Sequence, residues 1–129
     1  MPRSSLDSIL DTVLDIRSNV IAVEALQVDR EYHWPEAGVR ALQEAGIGGL
    51  VVEEACGGHG HGLFALARVC EVIAEECPST ALCLGMHLVG SAVIGSKATK
   101  DQKESYLVPI ARGKHLTSLA LSEPGSGAH

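Results

Sequence analysis

The stretch Leu116-Thr-Ser-Leu-Ala-Leu-Ser-Glu-Pro-Gly-Ser-Gly-Ala-His129 decides how the rest of the chain is read. Leu116, Leu119 and Leu121, with Thr117 and Ser118, make a short and mostly apolar strand pattern. Ser122-Glu123-Pro124-Gly125-Ser126-Gly127 then interrupts it with turn residues. Pro124 fixes its own φ and lacks an N–H, while Gly125 and Gly127 can take positive φ. Successive backbone N–H groups can then point into one concavity, which suits a phosphate or the electron-rich edge of a heteroaromatic ring. A strand followed by Pro-Gly also describes ordinary turns, so the upstream residues must carry the rest of the argument.

Immediately before this stretch, Thr99-Lys-Asp-Gln102 has the spacing of a capping box, with Thr99 as N-cap and Gln102 at the third helical position. The helix it opens places Tyr106, Leu107 and Ile110 inward, loses a hydrogen bond at Pro109 and ends at Gly113. Pro78 to Ser96 contains no Asp, Glu, Lys or Arg. Such a run approaches the ~18 apolar residues of a membrane span. Its Ser, Thr, Gly and His residues lower the hydrophobicity, and no basic cluster flanks it, so the pattern predicts a central, fully buried helix and no membrane span. Gly85 and Gly90 would let another helix or a ligand approach that helix closely. His87 reads as a satisfied core or pocket histidine, not a catalytic one.

Leu63, Leu66, Ala67, Cys70, Ile73, Ala74 and Cys77 form a helical stripe, widened by Val69 and Val72 and ended by Pro78. Before it, Glu53-Glu54-Ala55-Cys56-Gly57-Gly58-His59-Gly60-His61-Gly62 is a glycine-rich loop. Cys56, His59 and His61 are zinc-ligand types, but three ligands on flexible glycines hold no geometry, so no metal is expected. Leu6, Ile9, Leu10, Val13 and Leu14 start an amphipathic helix that Ser4 or Ser5 can cap. Its apolar face drifts to Ile16, Val20, Val23 and Leu26, with a bend near Asn19. A short second helix opens at Pro35, faces Val39, Leu42 and Ala45 inward, and stops at Gly46 or Gly48.

The 129 residues suffice for one domain with a real core, and 46% hydrophobic against 20% charged is a globular balance. Aromatics are only 3%, and Ala, Leu, Val and Ile dominate, which favours packed helices. A net charge of −6 without a basic stripe excludes nucleic acid as a partner. Met-Pro-Arg-Ser-Ser-Leu-Asp carries no apolar signal region, so a cytoplasmic protein is expected. Cys56, Cys70, Cys77 and Cys83 show no C-x-x-C spacing, and read as buried thiols without a disulfide framework.

Ala120-Leu-Ser-Glu-Pro-Gly-Ser-Gly127 closely resembles the flavin-contacting signature of acyl-CoA dehydrogenases, a strand ending in Thr/Ser-Glu-Pro-(Gly/Asn)-x-Gly. Glu53, Glu54, Gly57, Gly58 and Gly60 match a loop resembling Pro-Glu-Glu-Tyr-Gly-Gly-x-Gly in that family, with departures at Val52 and Cys56. The charge-free helix, then Asp101-Gln-Lys-x-x-Tyr-Leu107, then the Ser-Glu-Pro turn follow in the family's order. The resemblance covers nearly the whole chain. It implies an all-α fold, a five-helix orthogonal or up-down bundle over residues 1–115, with a single strand near 116–122, and residues 116–129 as the start of a middle β-domain.

The resemblance further implies a flavoprotein oxidoreductase of fatty acid metabolism. It would remove the α-proton of an acyl-CoA with a glutamate on a later helical bundle, while the β-hydride passes to the N5 of FAD. That glutamate and most FAD contacts are expected beyond His129, so no catalytic residue is assigned here and this piece alone is expected to be inactive. Leu119, Leu121, Ser122, Gly125, Ser126 and Gly127 stand at the family's flavin-contacting positions. Ala81, Leu82, Gly85 and Met86 resemble the wall of its acyl pocket. Ala128 stands where many members have a serine touching cofactor or substrate, and His129 replaces a common aspartate. Acyl-CoA as substrate, an electron-transferring flavoprotein as redox partner and a homo-oligomer are implied for the full-length protein. The alternatives are a flavin monooxygenase or oxidase on the same fold, or a non-enzymatic helical interaction domain.

Overall fold

The computed structural model describes residues 4–126, so Gly127, Ala128 and His129 of the expected site lie outside the described residues. Helix α1 (Leu6–Ile16) opens at Ser5, whose Oγ accepts from the Ser8 N–H at 3.1 Å. It continues through a π-helical turn, Arg17–Ile21, directly into α2 (Ala22–Glu31). This wide turn is the bend expected near Asn19. One extra residue rotates everything after it by about 100°. The core face therefore runs Ile9, Val13, Ile16, Ile21, Val28. Val23 and Leu26, expected inward, are 81% and 60% exposed for the same reason.

Helix α3 (Glu36–Glu44) is preceded by Pro35, which offers no side-chain cap. The cap comes from α2 instead. The Glu24 carboxylate accepts from the Gly38 N–H at 2.6 Å and from the Ala37 N–H at 3.3 Å. A carboxylate there also complements the positive end of the α3 dipole. A Cβ on residue 38 would stand 2.9 Å from that carboxylate, which is why glycine suits the position. Val39 and Leu42 of α3 are buried, whereas Ala45, expected inward, lies at the C-terminal cap and is exposed.

A 3-10 turn at Ile47–Gly49 leads to a second one at Glu54–Cys56. The loop then folds back on itself: the N–H groups of His59, Gly60 and His61 donate to the carbonyls of Gly49, Val52 and Leu50. At Gly58 a Cβ would fall 2.2 Å from the Val52 oxygen, so only glycine lets the loop close.

Helix α4 (Leu63–Ala74) stops before Cys77, which is the N-cap residue of α5 (Pro78–Lys97). Pro78 thus opens α5 at its first turn, where a missing N–H costs nothing, and does not close α4. By length and composition α5 could cross a membrane, with a mean hydropathy of 1.4 over its most apolar stretch. Only one face of it is covered. Thr80, Ala81, Leu84, His87, Leu88, Gly90 and Ser91 are buried, while Leu82 and Val93 are exposed, so the expected burial on every side is corrected. Helix α6 (Lys100–Ala111) has the expected capping box, with Thr99 N–H to Gln102 Oε1 at 2.9 Å and Gln102 N–H to Thr99 Oγ1 at 3.3 Å. Leu107 and Ile110 are buried, but Tyr106 is half exposed.

Apolar residues of α1, α3, α4, α5 and the 47–50 turn share the main core, and Val52, Cys56, Leu107 and Ile110 form a smaller one under α6. The described residues contain no sheet. The strand expected at 116–122 does not form, because strand pairing needs a hydrogen-bonded neighbour and only an isolated bridge, Glu123 to Ser126, is present.

Replacing Glu24 with Ala leaves two N–H groups at the start of α3 without their acceptor. Urea unfolding should show a loss of about 1–2 kcal/mol, with Glu24→Gln recovering part of it. No loss for Glu24→Ala would show that α3 is capped some other way.

Candidate cofactor and substrate site

Three elements meet at His87 on the buried face of α5. Its Nδ1 lies 3.0 Å from the Thr117 backbone nitrogen, and its Nε2 lies 3.0 Å from the Gly48 carbonyl oxygen. An amide N–H can only donate, so Nδ1 is the acceptor and Nε2 carries the proton. The ring is neutral, both nitrogens are satisfied, and only 1% of the residue is exposed. Burial pushes the pKa of His87 below its usual 6.5, and the Gly48 carbonyl opposes that shift. No ion pair to a charged side chain reaches the imidazole among the described residues. Cys83, four residues earlier on α5, lines the same hollow, and burial pushes its thiol pKa up.

Thr117 and Ser118 cross α5 above Gly90. A Cβ on residue 90 would stand 3.0 Å from Thr117 Oγ1 and 3.3 Å from the Ser118 carbonyl oxygen. Gly90 is thus where another part of the chain comes close, as its smallness suggested. Beyond Thr117, the backbone groups of residues 118–122 have no hydrogen-bond partner among the described residues. Leu119 is partly covered; Leu121 and Ser122 are exposed. Glu123-Pro124-Gly125-Ser126 then closes a tight turn, with Ser126 N–H to the Glu123 carbonyl at 3.1 Å and the reverse bond at 3.2 Å. Proline at the second position and φ +80° at Gly125 make it a type II turn. The expected cofactor positions Leu119, Leu121, Ser122, Gly125 and Ser126 are therefore brought onto one open ribbon beside α5. Its backbone N–H and C=O groups, without partners among the described residues, offer donors and acceptors along one edge.

The expected substrate positions also cluster. Ala81, Leu82, Gly85 and Met86 line an apolar groove of about 460 Å³ between α4 and α5, facing Leu66, Ala67 and Cys70. Leu82 and Met86 form a ridge, because they also line a hollow of about 400 Å³ on the other side with Trp34, His87 and Leu116. Ala81 itself is almost buried. Trp34, Thr117 and Gly48 were not singled out from sequence. A histidine inside a charge-free helix was the only signal that pointed towards them.

The Glu53 carboxylate is engaged from both sides. The Cys56 thiol donates to Glu53 Oε1 at 3.3 Å, and Lys103 of α6 lies 3.2 Å from the same carboxylate. The bond from Cys56, followed by the one from Lys103, holds the Glu53 carboxyl below its usual range, while burial pushes the Cys56 thiol up. His59 and His61 stack with ring centroids 6.5 Å apart, and His61 Nε2 lies 3.0 Å from the Ser4 carbonyl oxygen. Among the described residues no three His, Cys, Asp or Glu side chains converge as metal ligands would.

Residues 4–114 match the family model described as the N-terminal domain of acyl-CoA dehydrogenase. The chain belongs to the acyl-CoA dehydrogenase family. Among its relatives, the mitochondrial short-chain specific acyl-CoA dehydrogenase of Homo sapiens is 31% identical over 123 residues, covering 93% of this chain and 29% of that protein. The acryloyl-CoA reductase (NADH) of Anaerotignum propionicum is 31% identical over 104 residues, covering 81% of this chain and 26% of the reductase. A solved structure from work on the electron transferring flavoprotein of Acidaminococcus fermentans superposes with a TM-score of 0.79 at 24% identity, over 86% of this chain and 30% of that one. This acyl-CoA dehydrogenase domain thus has the family's fold and spans under a third of the length of these relatives.

Protonating His87 would place a second N–H opposite the Thr117 N–H and break that bond. Its folded pKa lies below the unfolded 6.5. The stability it contributes is therefore complete above about 6.5 and is lost as pH falls through the folded value. Urea midpoints of the wild-type domain should fall between pH 7 and pH 5 more steeply than those of His87→Asn. Parallel pH profiles for the two would contradict a neutral, doubly bonded imidazole.

Proposed function

We propose that this chain is the N-terminal part of an FAD-dependent oxidoreductase that interconverts an acyl-CoA thioester and its α,β-unsaturated counterpart. The observation that carries the reading is the open ribbon 118–122, ending in its type II turn, directly after a helical domain of the acyl-CoA dehydrogenase family. When bound, FAD supplies the hydride acceptor or donor for the acyl β-carbon. In this reading the backbone groups around Leu119 and Leu121 bind the flavin edge, and the Ser122 hydroxyl adds one more hydrogen bond to it. Gly125 and Ser126 turn the chain towards the cofactor. The ridge of Leu82 and Met86, with Ala81 and Gly85 below it, forms one wall for the acyl chain and excludes water from it by apolar contact.

The base that moves the α-proton is assigned to a segment following His129. Glu123, the acid nearest the ribbon, is exposed and held by its backbone in the turn, which suits a structural role better. An electron-transferring flavoprotein is the redox partner that fits the dehydrogenase direction. The relatives include an acyl-CoA dehydrogenase and an acryloyl-CoA reductase, so oxidation and reduction both belong in the assay.

The 129-residue chain by itself should purify colourless and bind FAD no tighter than about millimolar, because it offers part of one flavin edge. The full-length protein should be yellow and should turn over acyl-CoA with an artificial electron acceptor. In that protein Gly125→Val forces a β-branched residue to φ +80°. Backbone strain of about 1–3 kcal/mol should weaken FAD by roughly tenfold or more. A colourless full-length protein, or full FAD affinity in Gly125→Val, would remove the basis of this reading. Met86→Ala should raise kcat/KM for longer acyl chains relative to short ones several-fold, and an unchanged ratio would take α5 out of the acyl wall.

A further inference from the structure

We propose that His87 is a positioning residue for the cofactor. By tying the Thr117 amide to the Gly48 carbonyl, it fixes the register in which residues 118–122 present their backbone edge. The inference rests on the flavin reading above and goes beyond it, since no part of that reading assigns a role to α5's histidine.

Three observations carry it. The Thr117 N–H is the only backbone group of residues 115–122 with a hydrogen bond among the described residues, and its acceptor is His87 Nδ1 at 3.0 Å. Residues 118–122 have no ladder partner among the described residues to set their place along α5, so the segment is otherwise free to slide. A directional bond to a single amide removes that freedom. Secondly, the imidazole cannot turn to follow a slipped ribbon, because Nε2 is held by Gly48 at 3.0 Å and the ring is enclosed. Thirdly, Gly48 and Gly90 leave close room for this arrangement, and a larger residue at either would push on the groups that form it. A Cβ at 48 would stand 3.2 Å from His87 Nε2, and a Cβ at 90 would stand 3.0 Å from Thr117 Oγ1. The anchor sits two residues before Leu119, so an error at Thr117 is passed on to the first position assigned to the flavin.

The two bonds can be separated by substitution in the full-length protein. His87→Asn keeps an acceptor close to Nδ1 for Thr117 and loses the Gly48 bond. His87→Gln keeps a donor close to Nε2 for Gly48 and loses the Thr117 bond, and His87→Leu loses both. Each apoprotein is titrated with FAD by flavin fluorescence, thermal unfolding is recorded, and amide hydrogen exchange is followed at Thr117. Asn and Gln are expected to lower the unfolding temperature alike. FAD Kd should stay within about twofold of wild type for Asn and rise at least tenfold for Gln and Leu, with fast Thr117 exchange only in the latter two. A purely structural role would weaken FAD in proportion to lost stability, so equal Kd values for Asn and Gln overturn the proposal even if Leu fails to fold. Wild-type affinity in Gln or Leu despite fast Thr117 exchange overturns it as well. A wild-type protein that binds no FAD removes the flavin reading itself, which is a distinct result.

Discussion

A buried imidazole with a different partner on each nitrogen is the constraint around which the site is arranged. Leaving either nitrogen unpaired in an enclosed site would cost about 1–3 kcal/mol, so the 47–49 turn, α5 and the segment after α6 are held to one mutual arrangement. The glycines at 48 and 90 are consequences of that arrangement. Each is small where a Cβ would meet the histidine or the segment it holds. The open edge at 118–122 inherits its place from the same contact.

Helix α5 serves two surroundings at once. One face contributes Leu84 and Leu88 to the core, while the other leaves Leu82, Met86 and Val89 along an apolar groove. A charge-free helix usually reads as buried all round, because burial on every side is the commonest reason to exclude charge. Here the uncovered face belongs to a domain that spans under a third of its relatives' length, and the proposed acyl wall lies on that face.

Elsewhere the fold solves its polar ends at a distance. Glu24 on α2 caps α3, and Lys103 on α6 pairs with Glu53 of the loop that also receives the Cys56 thiol. The π turn makes the first of these contacts possible, because it brings Ile21 to the core and places Glu24 over the start of α3. The motif loop Glu53 to Gly60 is therefore a structural corner. Its glycines permit the return of the chain onto Val52, and its acid is occupied by α6.

The sequence alone determined the helices with local markers. The Thr99–Gln102 capping box, the Ser5 cap, the stripe of α4 and the Pro-Gly turn at 124–125 all act within about four residues, which is the range of helical and turn hydrogen bonds. It also placed Ala81 to Met86 on one helix, α5, and Glu123 to Ser126 in a turn, because both are written in contiguous residues. What tertiary structure alone decided are pairings between distant residues. Glu24 with Gly38 spans 14 positions, His87 with Thr117 spans 30, and His87 with Gly48 spans 39. The inward faces of α2 and α6, and the missing strand at 116–122, were misjudged for the same reason. One inserted residue in a π turn rotates a whole helix face, and a strand exists only where a neighbour pairs with it. Neither condition is present in the local sequence; both are set by which surfaces the packed chain brings together.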